Sequence, residues 1–226
     1  MIKAAISFKE SVKEIYPASK FGILTVSGLG ASADFSRMEE LKKSELEKIK
    51  ASHSGYERKS FAATTPMCHY INYYRKFKKT YHVLLQLESV LLKGRGIPNA
   101  GIPVEAMFLA ELKNLLLTAG HDMDKINGSL KVCTANGTES FTDIAGNEQR
   151  PAKDDLFLSD ESGILSNILC GPDQRTRITA ATKNALFFVY GVEGVTEAEI
   201  IKHLEDIRFY LSAVMGDLQF DLNCFT

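Results

Sequence analysis

Cysteine is scarce and scattered. The 226 residues hold four, Cys68, Cys133, Cys170 and Cys224, far apart and with no Cys-x-x-Cys pair. That spacing speaks against a disulfide framework and a thiolate zinc site, and it suits a reducing cytoplasm. Excess charge of either sign is also missing: 27 basic residues face 28 acidic ones, a formal net charge of −1. Whole-molecule attraction to nucleic acid is therefore excluded, and any such binding has to come from a local patch. No apolar run approaches the ~20 residues of a membrane span. The opening Met1-Ile2-Lys3-Ala4-Ala5-Ile6-Ser7-Phe8-Lys9-Glu10 has too short an apolar stretch for a signal peptide. Neither a Gly-x-Ser-x-Gly elbow nor a Gly-x-x-x-x-Gly-Lys-Ser/Thr loop occurs, so a serine-elbow hydrolase and a Walker-type nucleotidase both lack their signal.

What is present is an ordinary globular balance, with 45% hydrophobic and 24% charged residues. A single domain of this size buries on the order of 70% of its unfolded surface and needs no staple. Ile2 to Phe8 and Phe21 to Ser27 read as strands, with a short helix between them that Ser11 and Glu14 cap. Gly28-Leu29-Gly30-Ala31-Ser32-Ala33 follows a strand as a dinucleotide loop does. The next segment, Arg37 to His53, is a charged helix rather than a strand ending in an acid, so the loop reading stands. Pro66 marks a helix start. Two apolar helices follow, Val83 to Leu92 and Val104 to Leu117, the second apolar around most of its circumference and hence buried.

The period then changes from 3.6 to 2. Leu130 to Thr134 and Glu139 to Ile144 flank Asn136-Gly137, a hairpin signal. Leu156 to Leu158 and Ile164 to Leu169 flank a second turn at Asp160-Glu161-Ser162-Gly163. Arg177 to Ala180 and Ala185 to Tyr190 read as further strands. A helix capped by Thr196 and Glu199, apolar at Ile200, Leu204, Ile207, Leu211 and Val214, ends near Gly216. Early helices, late antiparallel strands and a closing helix define an α+β class.

Three clusters carry chemistry. His121-Asp122-Met123-Asp124 follows the buried helix, where the imidazole can serve as a general base or sit as a loop histidine beside exposed acids. A metal site there lacks further ligands. Cys68-His69 places thiol and imidazole at i and i+1, which do not face each other on a helix. His69 to His82 interleaves aromatics with Arg75, Lys76, Lys78 and Lys79. The cations suit RNA phosphates, with Tyr73, Tyr74 or Phe77 stacking on bases. The aromatics recur at steps of three and four, which equally describes an amphipathic helix with rings inward.

Ile97 to Tyr190 resembles the editing module, the B3/B4 domain, of the bacterial phenylalanyl-tRNA synthetase beta subunit, a module found also in free-standing proteins. Ile97-Pro98-Asn99-Ala100-Gly101-Ile102-Pro103-Val104-Glu105 resembles the family's Arg-Pro-Ile-Asn-Asn-Val-Val-Asp before a helix. Gly120-His121-Asp122-Met123-Asp124-Lys125-Ile126-Asn127-Gly128 is similar to Gly-Gln-Pro-Leu-His-Ala-Phe-Asp-x-Asp-Lys-Leu-x-Gly. Leu130 to Ala135 with Gly137, Phe141 and Gly146, then Asp154 to Asp160, then Thr182 to Leu186, follow in the family's order. The resemblance implies one domain over 1–226, with an editing-like core at 95–190 and flanking extensions at 1–74 and 195–226 packed on it.

It further implies hydrolysis, in trans and without a cofactor or metal, of the ester joining a wrong amino acid to tRNA. Such an ester needs positioned water and an oxyanion donor. His121 stands for the family's editing-site histidine, and Asn99, Glu105, Asp160, Thr182 and Phe188 for substrate-binding positions. Backbone N–H groups near Gly101 or Gly171 suit the oxyanion. Met107-Phe108 replaces a Thr-Asn and Phe188 a Glu, which points away from tyrosine as the rejected amino acid. The implied partner is the aminoacylated 3′ end of tRNA, with neither a membrane nor specific DNA. Nothing resembles a synthetase catalytic core. A tRNA- or RNA-binding module without catalysis and an amino-acid sensor remain open.

Overall fold

In the computed structural model, which describes residues 6–30 and 33–225, two sheets are built from strands far apart in the sequence. The chain runs β1 (Ile6–Phe8), α1 (Glu10–Ile15), β2 (Lys20–Ser27), α2 (Phe35–Ser52), α3 (Arg58–Phe61), α4 (Met67–Lys76), α5 (His82–Lys93) and α6 (Ile102–Asn114). It continues through β3 (Thr118–Asp122), a 3-10 turn (Met123–Lys125), β4 (Leu130–Thr134), β5 (Phe141–Thr142), β6 (Glu148–Gln149), β7 (Leu156–Asp160) and β8 (Gly163–Asn167). β9 (Gly171–Pro172), β10 (Asn184–Gly191), α7 (Glu197–Val214) and β11 (Gln219–Phe225) complete it. This is an α+β fold. One sheet is antiparallel, in the order β11-β2-β10-β3. The other runs β1-β4-β7-β8-β9 and is mixed, because β1 pairs β4 in parallel.

β10 explains the arrangement. Ala185 to Tyr190 are all buried, a continuous apolar run that needs cover on both faces. On one face α7 lies close because Gly22 and Gly191 carry no side chain; a Cβ at Gly22 would collide with Ile200 and Leu204. On the other, Phe188 stacks on Phe21 at 5.8 Å and meets Tyr190 edge-on at 4.7 Å. The Tyr190 hydroxyl crosses to the second sheet, accepting from the Leu158 N–H and donating to the Ser166 carbonyl.

Several expected elements stand where the pattern puts them. α5 ends at Gly94 in the left-handed conformation, and α7 opens with both hydrogen bonds of the Thr196–Glu199 capping box. β7 and β8 form the hairpin around Asp160, whose Oδ1 accepts from the Ser162 and Gly163 N–H groups. Other expectations are corrected. Asn136-Gly137 does not join paired strands: β4 pairs β1 and β7, while Glu139 and Asn136 close the turn locally with their own side-chain oxygens. β5 pairs β6 instead. Ser11 receives the Thr134 hydroxyl and caps nothing, and α1 starts after Lys9 without a side-chain cap. Arg177 to Ala180 is not strand, and β11 is an additional one. α6 stops at Asn114 because Leu115 turns left-handed at φ 61°, its carbonyl accepting from the Tyr81 hydroxyl. Thr118 to Asp122 is therefore a buried strand rather than a loop. Residues 2–5 of the first expected strand, and Ala31 and Ser32 of the glycine loop, lie outside the described residues.

Candidate functional site: a cavity between α5, α6 and β3

A cavity of about 610 Å³ opens where α5, α6 and β3 meet the β8–β9 turn, within the range of ligand pockets. Its walls are mostly apolar: Val104, Met107 and Phe108 of α6, Leu117 and Ala119, and Ile178. Gly120 makes room for that packing, since a Cβ there would lie 2.9 Å from Ile178 Cδ1 and 3.3 Å from Met107 Sδ. Ile144, 52% exposed, is part of the lining, as is the exposed Arg177.

The polar groups in this wall divide into spent and unspent. Tyr190 is spent between the two sheets, and Asn167 donates to Asp155 while accepting from the Cys170 N–H at 2.8 Å. Thr118 Oγ1 lies 2.6 Å from His203 Nε2. Arg177 aside, three groups keep capacity, each as an acceptor. Glu111 is 2% exposed, accepts only the Thr118 N–H at 2.8 Å, and makes no ion pair among the described residues. Burial pushes its carboxyl up to about 8, partly offset by that N–H. Gln86 Oε1 is buried with no hydrogen-bond partner among the described residues. His82 Nδ1 lies 2.9 Å from the Tyr74 hydroxyl, which also contacts the Ile168 carbonyl at 2.6 Å. A carbonyl only accepts, so the tyrosyl proton goes to Ile168 and His82 must donate from Nδ1. Nε2 is left as a free acceptor, and burial, which takes the imidazole down to about 4, keeps it neutral near pH 7.

The residues singled out in the sequence do not converge on this cavity. His121 is fully buried, with Nδ1 2.8 Å from Thr176 Oγ1 and Nε2 3.1 Å from Ser166 Oγ. Burial first, then the Arg175 charge, hold it down to about 3. Both nitrogens are taken, and the ring is not part of the cavity lining, so it is not placed to hold water there. The register explains the mismatch. With Asp122-Met123-Asp124-Lys125 set against the motif's Asp-x-Asp-Lys, the motif's histidine falls three residues before Asp122, on Ala119, which does line the cavity.

The remaining positions serve the scaffold. Glu105 accepts from the Ala100 and Gly101 N–H groups at the start of α6 and pairs with the buried Lys42 at 2.9 Å. Asn99 accepts from the same lysine at 3.2 Å. Gly101 N–H is thereby spent, whereas Gly171 lines the cavity. Asp160 holds the β7–β8 turn and Arg175; burial pushes its carboxyl up, but the N–H donors and the guanidinium outweigh it and leave it lowered. Thr182 donates to Asp122 at 2.8 Å. Phe188 faces Phe21, and Tyr190, two residues on, is the member of β10 that reaches the cavity.

In α4 and the turn after it, Tyr70, Tyr73 and Tyr74 are buried, with hydroxyls bonded to Tyr190 O, Asp155 and Ile168 O. They cannot stack on bases. Arg75, Lys76, Lys78 and Lys79 are exposed and form no ion pair among the described residues, while Lys76 Nζ lies 4.9 Å from the Tyr16 ring centre. Lys79 is near enough for its charge to act on the Cys170 thiol in the cavity wall. His82, Gln86 and Glu111 are the residues that motif reasoning passes over. Their signal is an acid, Glu111, in the middle of a helix apolar around most of its circumference, and a His/Gln pair at i and i+4. Among the described residues, no group of three or more His, Cys, Asp or Glu is arranged to hold a metal, and no helix is long and apolar enough to cross a membrane.

Residues 72–208 match the protein family described as the B3/4 domain. The fold is similar to the crystal structure of an N-terminal fragment of the phenylalanyl-tRNA synthetase beta subunit from Pyrococcus horikoshii, with a TM-score of 0.50 and 16% identity. That likeness covers 96% of this chain and 50% of the fragment, so the chain spans about half the fragment's length. The comparison with curated proteins finds no match.

Proposed function

The chain belongs to the B3/4 domain family, and from that premise we propose that it is a trans-acting deacylase that hydrolyses the ester of mischarged tRNA in the α5–α6–β3 cavity. The observation that carries this reading is the polarity of the site. Uncommitted acceptors, His82 Nε2 and the Glu111 carboxyl, belong to the helix walls, while Arg177 and the nearby Lys79 supply positive charge without a paired carboxylate among the described residues. An aminoacylated 3′ end matches that order, with the amino acid inward and the phosphates outward.

In this reading His82 takes the part that the motif resemblance assigns to His121. Its Nε2 accepts a proton from a water beside the ester carbonyl, and Tyr74 fixes the tautomer. Water adds to the carbonyl carbon, the bond to the ribose oxygen breaks, and that oxygen leaves with a proton. Gly171, in the cavity wall, is the remaining backbone candidate near the oxyanion. The test is deacylation of a panel of mischarged tRNAs. The wild type is expected to cleave at least one, and His82→Gln to slow that reaction by about 10²-fold, the usual scale for a positioned proton acceptor. Cleavage of none of them sinks the reading. The second reading, an RNA-binding module without catalysis, rests on the unpaired cations of 75–79. It predicts salt-dependent tRNA binding with every ester left intact.

A further inference from the structure

Glu111 and Gln86 pose a problem that the fold itself does not answer. A carboxyl taken out of water is costly unless a cation or several donors meet it. Glu111 has one backbone N–H and no cation among the described residues. On the neighbouring helix, Gln86 Oε1 is shielded from solvent with no donor among the described residues. Native proteins seldom leave such an atom unpaired. Both residues line the same cavity, where Asn167 donates to Asp155 and Tyr190 to Ser166, and neither these nor Arg177 donates to Glu111 or to Gln86 Oε1 among the described residues.

We propose that Glu111 and Gln86 form a subsite for a primary ammonium group, which supplies the missing donors to both residues and the missing charge to Glu111. The ligand class is therefore an amine borne on a body small and apolar enough for the Met107–Phe108 wall. If the deacylase reading holds, that amine is the α-ammonium of the esterified amino acid, and N-blocked substrates are excluded. The position of the carboxyl on the pH scale supports the assignment. Near neutrality Glu111 retains a proton, which it gives up when a cation enters, so binding releases a proton to the buffer.

The test uses the full chain and two sets of probes. One is a series of 3′-(L-aminoacylamino)-3′-deoxyadenosines, from alanyl to phenylalanyl, with their desamino counterparts; the other is the corresponding amino-acid amides and desamino amides. Calorimetry is expected to show that loss of the amine weakens binding at least tenfold, a charge-assisted hydrogen bond being about twice as strong as a neutral one. Binding heats should depend on buffer ionisation at pH 7. Glu111→Gln, which keeps the acceptor for the Thr118 N–H, should bring amine-bearing and desamino probes to within about twofold of each other and abolish the buffer dependence. Gln86→Leu should weaken only the amine-bearing probes. Amine-dependent binding without ester cleavage on any tRNA leaves the subsite standing and removes the deacylase reading. Cleavage of N-acetylaminoacyl-tRNA at the unblocked rate overturns the subsite and leaves the deacylase. Absence of amine-dependent binding in both probe sets overturns the subsite whatever the tRNA assay shows.

Discussion

The molecule holds two polar centres of opposite character that share a wall, since Tyr190 belongs to both. In the first, His121 bonds to Thr176 and Ser166, Thr176 reaches Asp173, and Ser166 meets the Tyr190 hydroxyl at 2.8 Å. Each of these side chains has its partner inside the protein. In the second, His82, Gln86 and Glu111 line a void with acceptor capacity left unused among the described residues. A satisfied network has nothing left for a ligand, whereas an unsatisfied one is a cost to the fold that a ligand can offset. The histidine singled out by motif has both ring nitrogens bonded, and the proposed proton acceptor, His82, carries no motif.

Deleting the satisfied centre is the harshest way to break this contrast. His121→Ala removes one hydrogen bond from each of two buried hydroxyls and opens a cavity, and it is expected to cost about 3–5 kcal/mol in urea unfolding. Glu111→Gln at pH 6 should change stability by less than about 1 kcal/mol, because a protonated carboxyl and an amide are close in shape. Equal destabilisation of the two variants would erase the distinction.

Titration separates the centres by sign. His121 falls from 6.5 to about 3 on folding, so its contribution is intact above about pH 6.5 and fades as pH falls toward 3. Glu111 rises from 4.5 to about 8, so its contribution is present below pH 4.5 and fades as pH rises through 8. Measured against Glu111→Gln, the wild type should weaken on the order of a few kcal/mol between pH 5 and pH 8. Measured against His121→Asn, it should weaken in the acid direction instead. Parallel curves for the two pairs would contradict the assignment.

The smallest effect belongs to the cations. Neutralising Arg75, Lys76, Lys78 and Lys79 together should move stability by no more than about 1 kcal/mol, chiefly through Lys76 over Tyr16. If tRNA lies across them, the same change should flatten the dependence of log affinity on log salt by about 0.7–0.9 for each phosphate left without its cation. An unchanged slope would move the RNA path elsewhere.

Much of this is legible in the amino acids. The α+β class, the capped closing helix and the Asp160 hairpin rest on local signals, and local signals set them. The aromatics of α4 turn inward, as their three-and-four spacing suggests. What the sequence hides is tertiary. Thr118-Ala119-Gly120-His121-Asp122 has no strand alternation, because every residue of β3 is buried, with α6 and β9 packed on it beside its pairing to β10. Glu105 and Asp160 look like ligand carboxylates, and only the folded chain shows their oxygens taken by backbone N–H groups at a helix start and a hairpin. His82 carries no motif; its tautomer depends on a tyrosine eight residues earlier and a carbonyl just beyond the end of β8.

The most direct test follows the imidazole nitrogens themselves. In ¹⁵N-labelled protein titrated with a 3′-aminoacylamino-3′-deoxyadenosine, His82 should show the Nδ1–H tautomer and its Nε2 resonance should move on binding, while both His121 nitrogens stay still. Movement of His121 with a silent His82 would contradict the account.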